Sequence, residues 1–209
     1  MRPTQHGNPN VESRLRDGVR AGAGLSVLTG GQTGVDTYAA VAALRAGLAV
    51  HLVYPAGYRQ EDGPLTAARR RRLAGAALHE LGSTSFRYRT WTCVYLADAV
   101  ILLDPAGGAG CRETARAAHR LGRPLLIPEP GQLSAGQLSA DQLGAGEIAD
   151  WLAANCVRVL MVAGCRASVL ASKGTGRGLR ADLAVIMAGA RQQHERLLGK
   201  DAGERVDPS

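Results

Sequence analysis

Short apolar runs, each closed by a glycine-rich turn and followed by a helical stripe of small apolar residues, constrain this chain more than any other feature. Leu25-Ser26-Val27-Leu28-Thr29 leads into Gly30-Gly31-Gln32-Thr33-Gly34, and then into Ala39, Ala42, Ala43 and Ala46 at helical spacing. Thr33 and Asp36 are spaced as a capping box for that helix, which Gly47 ends before a second apolar run from Leu48 to Tyr54. Ala99-Val100-Ile101-Leu102-Leu103 is apolar on both faces, as a central parallel strand must be. It runs into Gly107-Gly108-Ala109-Gly110 and a helix carrying Cys111, Thr114, Ala115, Ala118 and Leu121 on one stripe. Further strands are expected at Pro124–Ile127 and Val157–Ala163, and helices over 66–80, from Tyr88 to Ala97, over 147–155 and from Leu179 to Leu198. Strands alternating with helices imply right-handed crossovers, so the expected fold is α/β: a Rossmann-like, doubly wound parallel sheet with helices on both faces, in a single domain.

The chain has 209 residues, 45% of them hydrophobic, enough for one core. The expected division is a flexible tail over residues 1–24, a ligand-binding domain over 25–199 and a second tail over 200–209. The segment 131–145 repeats a five-residue unit, GQLSA-GQLSA-DQLGA, and reads as a mobile, dispensable surface insertion within about 130–145. The first 24 residues lack the apolar stretch of a secretory signal, and no apolar run reaches the roughly 18 residues of a membrane span. The expected location is therefore the cytoplasm. Four widely spaced cysteines and no histidine at ligand spacing suggest neither a disulfide framework nor a metal site. The net charge of +7 permits nucleic-acid binding, but 4% aromatic content and the absence of a stacking motif argue against it. The four arginines Arg69 to Arg72 read as a solvated helix face.

In an open parallel sheet, ligands bind at the carboxyl ends of the strands, near the point where strand order reverses. Three glycine-rich loops fall at such ends: Gly30–Gly34, Asp104–Gly110 and Gly164-Cys165-Arg166-Ala167-Ser168. Glycine lets backbone approach an anion closely, and the free amides at the following helix start favour negative charge. None of these loops is a GxGxxG or a Walker sequence, which weakens nicotinamide-cofactor and ATPase readings. A phosphate-bearing small molecule is the expected partner.

The run Gly30-Gly31-Gln32-Thr33-Gly34-Val35-Asp36, then Pro55-x-Gly57-x-Arg59-x-Glu61-Asp62-Gly63-Pro64, Arg89-Thr90, Asp98-Ala99, Gly110, Gly122-Arg123-Pro124 and Val162-Ala163-Gly164-x-Arg166-x-Ser168 resemble the molybdenum cofactor carrier proteins. The resemblance covers about residues 25–190. It implies a fold shared with the cytokinin-activating phosphoribohydrolases, assembly into dimers or tetramers, and a molybdopterin-type cofactor or a nucleotide as the bound species. Two positions depart from the family pattern: Cys111 stands where Thr is usual after Gly110, and Cys93 where Asn is usual.

The binding residues implied are Gly30, Gly31, Gln32, Thr33, Gly34, Asp36, Gly57, Glu61, Asp62, Arg89, Gly107, Gly108, Gly110, Cys111, Gly164, Arg166 and Ser168. Asp36 reads equally as a helix cap or as a ligand to a ribose or pterin. Cys111 occupies a helix start, where thiols become acidic, but no histidine serves it, so a packing role is favoured. Catalytic residues are unknown, with Arg89 and Glu113 as candidates. Glu113 lies one residue earlier than the Glu of the phosphoribohydrolase signature Gly-Gly-x-Gly-Thr-x-x-Glu, and that slip turns a helical side chain by about 100°, favouring a surface pair with Arg116 or Arg120. The leading expectation is a binding or carrier protein, and the alternative is an N-glycosidase acting on nucleoside 5′-monophosphates.

Overall fold

The computed structural model describes residues 9–103, 108–129, 132–133, 142–173 and 176–203. The element order is α1 (Pro9–Arg20), β1 (Ser26–Thr29), α2 (Val35–Arg45), β2 (Ala49–Tyr54), β3 (Arg59–Gln60), β4 (Gly63–Pro64), α3 (Ala67–Arg72) and β5 (Ala77–Glu80). Then come α4 (Phe86–Leu96), β6 (Ala99–Leu103), α5 (Ala109–Arg120), β7 (Leu125–Leu126), α6 (Ala145–Ala154), β8 (Val159–Gly164), α7 (Ala167–Lys173) and α8 (Gly176–Gly203). Six strands form one parallel sheet in the order β5-β2-β1-β8-β6-β7, and β3 and β4 form a small antiparallel hairpin. The fold is the expected single-domain, Rossmann-like α/β layout.

The three central strands explain themselves. Every residue of β1 and β6 is buried, as is every residue of β8 before Gly164, because helices cover both faces and each position meets apolar neighbours. Val27, Leu28, Ile101, Leu102, Leu160 and Val162 have no exposed surface, and each such side chain contributes about 1.5–3 kcal/mol of burial. Helices α2, α6 and α8 pack as one group and α1, α4 and α5 as another. The C-terminal strand β8 lies between β1 and β6, so β1, β8 and β6 are consecutive and end at one edge of the sheet. The glycine-rich loops that follow them are therefore neighbours.

Three local expectations are corrected. The expected N-terminal tail contains helix α1, which buries Leu15 and Val19 in the core and carries Arg20 into an ion pair with Asp98. The expected helix over 66–80 stops at Arg72. Thr66 caps it by accepting from the Arg69 N–H, Gly75 turns the chain at φ +96°, and residues 77–80 pair with β2 as an edge strand. That strand also brings His79 beside His51, with Nε2 and Nδ1 3.1 Å apart, a pairing the separation in sequence does not suggest. Burial, and then the neighbouring His79, lowers the pKa of His51 to about 4. The final helix begins at Gly176 and runs through 200–203, where a tail was expected.

The repeat is divided by the structure. Its residues 131 and 134–141 lie outside the described residues, but Leu133 is buried, bridges Leu143, and precedes the α6 start, where Gly144 N–H donates to the Glu147 carboxylate at 3.0 Å. Dispensability is accordingly narrowed to the stretch between Leu133 and Gln142. Replacing 134–141 with a short Gly-Ser link should leave the thermal midpoint within a few degrees, since the change in loop closure is only about 1 kcal/mol. Extending the deletion through Leu133 and Ala145 should lower it clearly, and a collapse with the short replacement alone would show that 134–141 belongs to the core.

Candidate functional site

The carboxyl ends of β1, β8 and β6 open into a cavity of about 450 Å³. Of the residues expected from sequence, Gln32, Asp36, Arg89, Gly108, Gly110, Cys111, Glu113, Gly164, Arg166 and Ser168 line it. Phe86, Arg87, Thr90, Ala109, Thr114 and Val169 line it too and were not foreseen. Helix α4 supplies Phe86, Arg89 and Thr90 at i, i+3 and i+4, the spacing of one helical face. Arg89 lies in the first turn of α4, which begins two residues earlier than the expected start at Tyr88.

The floor is a buried ion pair. Arg89 Nη1 lies 3.5 Å from Asp36 Oδ2, and both side chains are 7% exposed. Asp36 also accepts the Gln32 N–H at 3.1 Å. It does not complete a capping box: the residue before the helix is Gly34, which has no side-chain cap, so Asp36 braces its own loop. Burial raises the pKa of Asp36 despite the opposing charge of Arg89 and the hydrogen bond from Gln32. Two polar atoms of the floor residues, Gln32 Oε1 and Arg89 Nε, have no hydrogen-bond partner among the described residues, and Tyr54 Oη beneath the same loop has none either. Burial, then the charge of Asp36, pushes the Tyr54 hydroxyl above its ordinary range. Cys93, also buried here with Sγ 4.0 Å from the Thr29 carbonyl, has its pKa pushed up to about 12 by burial, so it stays a thiol.

The glycines of the first loop are explained by neighbouring protein. A Cβ at Gly30 would meet Arg89 Nη1 at 1.2 Å, and one at Gly31 would meet the Tyr54 ring at 2.5 Å. A Cβ at Gly34 would meet the Cys165 carbonyl at 2.4 Å. None of the three lines the cavity, nor does Thr33. Close backbone approach to an anion, expected for this loop, is thus replaced by close approach to a side chain, a ring and a second loop. Gly108 and Gly110 differ, because nothing lies within 4 Å of a Cβ built at either one. Gly107 lies outside the described residues.

The acidic candidates are held by partners. Glu61 accepts from the Thr33 hydroxyl and from Ser168 Oγ at 2.5 Å, which ties three loops together, Ser168 alone of the three residues lining the cavity. Burial alone would raise its pKa, but the bonds from Ser168 and Thr33, with the charge of Arg166, hold it below the ordinary value. Asp62 pairs with Arg69, and Gly57 N–H donates to the Glu80 carboxylate, so neither faces the cavity. Glu113 accepts from Trp91 Nε1 at 2.6 Å, Arg87 Nε at 2.8 Å and Arg116 Nη1 at 3.1 Å. The expected pairing with Arg116 is present, but the side chain is only 15% exposed and the indole donor, foremost, depresses its pKa.

The cations around the cavity are unequal. Asp36 takes Arg89 and Glu113 takes Arg87, whereas Arg166 is exposed and rests over the Phe86 ring at 5.8 Å, with no ion pair among the described residues. Opposite it, the first turn of α5 presents Gly108, Ala109, Gly110 and Cys111. Helix starts of this kind leave amides unpaired and attract anions.

Residues 27–175, well over half of the chain, match the model of the circularly permutated YpsA SLOG family. A solved protein from Syntrophus aciditrophicus, provisionally named molybdenum carrier protein, superposes with a TM-score of 0.57 at 20% identity, over 80% of this chain and 95% of that one. AtPrR2 in its apo form aligns over 52% of this chain and 39% of that one at 19% identity, with a TM-score of 0.35. No curated protein matches the chain significantly. The structural likeness shows the fold, the matched segment spans the three central strands and their loops, and the chain belongs to the circularly permutated YpsA SLOG family.

Proposed function

We propose that this protein binds or carries a phosphate-bearing small molecule, with the molybdenum cofactor or a nucleotide as the class of cargo. The observation that carries this reading is Arg166, exposed and without a close ion pair among the described residues, lining a basin that the start of α5 also lines. A guanidinium and a helix start that line one space suit phosphate, which takes bidentate and charge-assisted hydrogen bonds. The basin falls within the range of about 300–1,000 Å³ typical of small-molecule sites, and the unpartnered Gln32 Oε1 offers an acceptor to an organic ring edge. Among the described residues, no group of three His, Cys, Asp or Glu side chains is placed to hold a metal. The proposed grip is therefore on the phosphate and the organic part of such a cofactor. The provisional name of the Syntrophus aciditrophicus protein points to the same cargo.

The carrier reading is better supported than the N-glycosidase alternative. A ribose-gripping carboxylate must be available to the substrate, and the oxygens of Glu113 already accept from three donors. The family resemblance adds a dimer or tetramer to the proposal, and the cytoplasm is the location proposed from the sequence; no helix among the described residues is long and apolar enough to cross a membrane. Native mass spectrometry of freshly purified protein reads the co-purified ligand and the subunit count together.

Arg166→Ala tests the site. Charge-assisted hydrogen bonds contribute about 1.5–3 kcal/mol, so affinity for a phosphorylated ligand should fall roughly 10- to 100-fold. Stability should barely change, because Arg166 is exposed and makes no salt bridge among the described residues. Wild-type affinity should also fall as salt rises. Unaltered phosphate-ligand binding by the variant would remove the basis of the proposal.

A further inference from the structure

We infer that Phe86 is a stacking platform for a planar ring of the ligand, so that the cavity selects a phosphorylated molecule bearing an aromatic heterocycle over a bare sugar phosphate or inorganic phosphate. The inference rests on the anion-site reading and extends it to the other end of the ligand. Phe86 is the single phenylalanine of the chain, and it is placed half-buried in the cavity wall rather than in the core. It opens α4, where Ser85 Oγ accepts the Tyr88 N–H at 3.2 Å, so its backbone is fixed by a helix cap. The same helical face puts Arg89 and Thr90 below it, and the buried Gln32, with Oε1 unpartnered, lines the same floor.

The ring's present companions are two guanidinium groups, those of Arg59 and Arg166, each with its central carbon 5.8 Å from the ring centroid. The other arginine–aromatic pairs sit closer, Arg16 over Tyr95 at 4.7 Å and Arg70 over Tyr58 at 4.9 Å. Phe86 is thus loosely engaged by planar cations, and a heterocycle is a planar group that stacks more closely while releasing Arg166 toward a phosphate. Aromatic faces take any base by stacking. That places ring selection in Phe86 and phosphate selection in Arg166, two neighbouring side chains with separable effects.

Titration calorimetry with adenosine 5′-monophosphate, guanosine 5′-monophosphate, a hydroxymethylpterin phosphate and ribose 5-phosphate separates the two. At least one heterocyclic phosphate should bind about tenfold or more tightly than ribose 5-phosphate, as stacking contributes at the scale of one base on one aromatic ring. Phe86→Leu, which keeps an apolar side chain in the cavity wall, should abolish most of that gap while leaving ribose 5-phosphate within twofold. Phe86→Tyr should retain it. Equal binding of all four probes, or equal losses for all four in Phe86→Leu, would overturn the platform while leaving the anion site intact. Binding by none of them would overturn the anion site itself, and the platform with it.

Discussion

Replacing Arg89 with Met should destabilise the protein by about 3 kcal/mol at neutral pH, because the change strands the Asp36 carboxylate in a 7%-exposed position. The deficit should depend on pH with a definite sign. Burial already raises the pKa of Asp36, with Arg89 the main opposing influence, and removing that charge raises the pKa further. A carboxyl whose folded pKa lies above its unfolded one binds its proton more tightly when folded. It lends stability in full below the unfolded value of 3.8, and loses it as pH rises through the folded value. The difference between variant and wild type should therefore be small near pH 5 and large near pH 8, as read by urea denaturation at both. Asp36→Asn added to Arg89→Met should recover more than half of the loss at pH 8. A deficit equal at both pH values would mean that Arg89 matters through packing over Gly30 and not through its charge.

Gly34→Ala should cost about 3 kcal/mol or more, the scale reserved for strained backbone and severe overpacking. Gly34 holds φ at +80°, and an added Cβ would stand 2.4 Å from the Cys165 carbonyl oxygen and 2.6 Å from the Ala167 nitrogen. Both are backbone atoms of the adjoining loop, whose Cys165 carbonyl already accepts the Val35 N–H at 3.0 Å, so neither side can retreat. Gly110→Ala is the contrast: it is helical with open space around it, and alanine gains roughly 0.5–1 kcal/mol of helix propensity over glycine. Denaturation midpoints of the two variants should move in opposite directions. If both fell equally, the close contact between the first and last loops would not be a determinant of the fold.

These glycines show how far the sequence could be read. The central strands were legible because β6 and β8 are nearly continuous apolar runs and β1 pairs Val27-Leu28 with small buried polar residues, a pattern that suits a sheet covered on both faces. Strand β5 was not, since Ala77-Leu78-His79-Glu80 is an edge strand with exposed ends, and only pairing with β2 makes it a strand. Helix α1 escaped for a related reason: Leu15 and Val19, which it buries, are isolated among charges. The loops that meet at the cavity could be placed from the rule for parallel sheets, but the purpose of each glycine could not. Glycine marks close approach without saying whether the approaching group is ligand or protein. At Gly30, Gly31 and Gly34 it is protein. Phe86 and Arg87 gave no signal of their own, because α4 alone decides which residues of that stretch face the basin.

The position of β8 has a bearing on how the molecule is made. Until residues 159–164 have left the ribosome, β1 with its neighbours β2 and β5 shares no hydrogen-bonded edge with β6 and β7, since β8 alone pairs with both. Between the emergence of β6 and β7 and that of β8 the growing chain thus carries two unsealed half-sheets, each with a bare edge that invites wrong partners. The β1–β8 pairing that helps join them spans more than a hundred residues, the kind of distant pairing that slows folding. The basin, whose walls come from both halves and from the segment just after β8, cannot be complete until β8 has joined them.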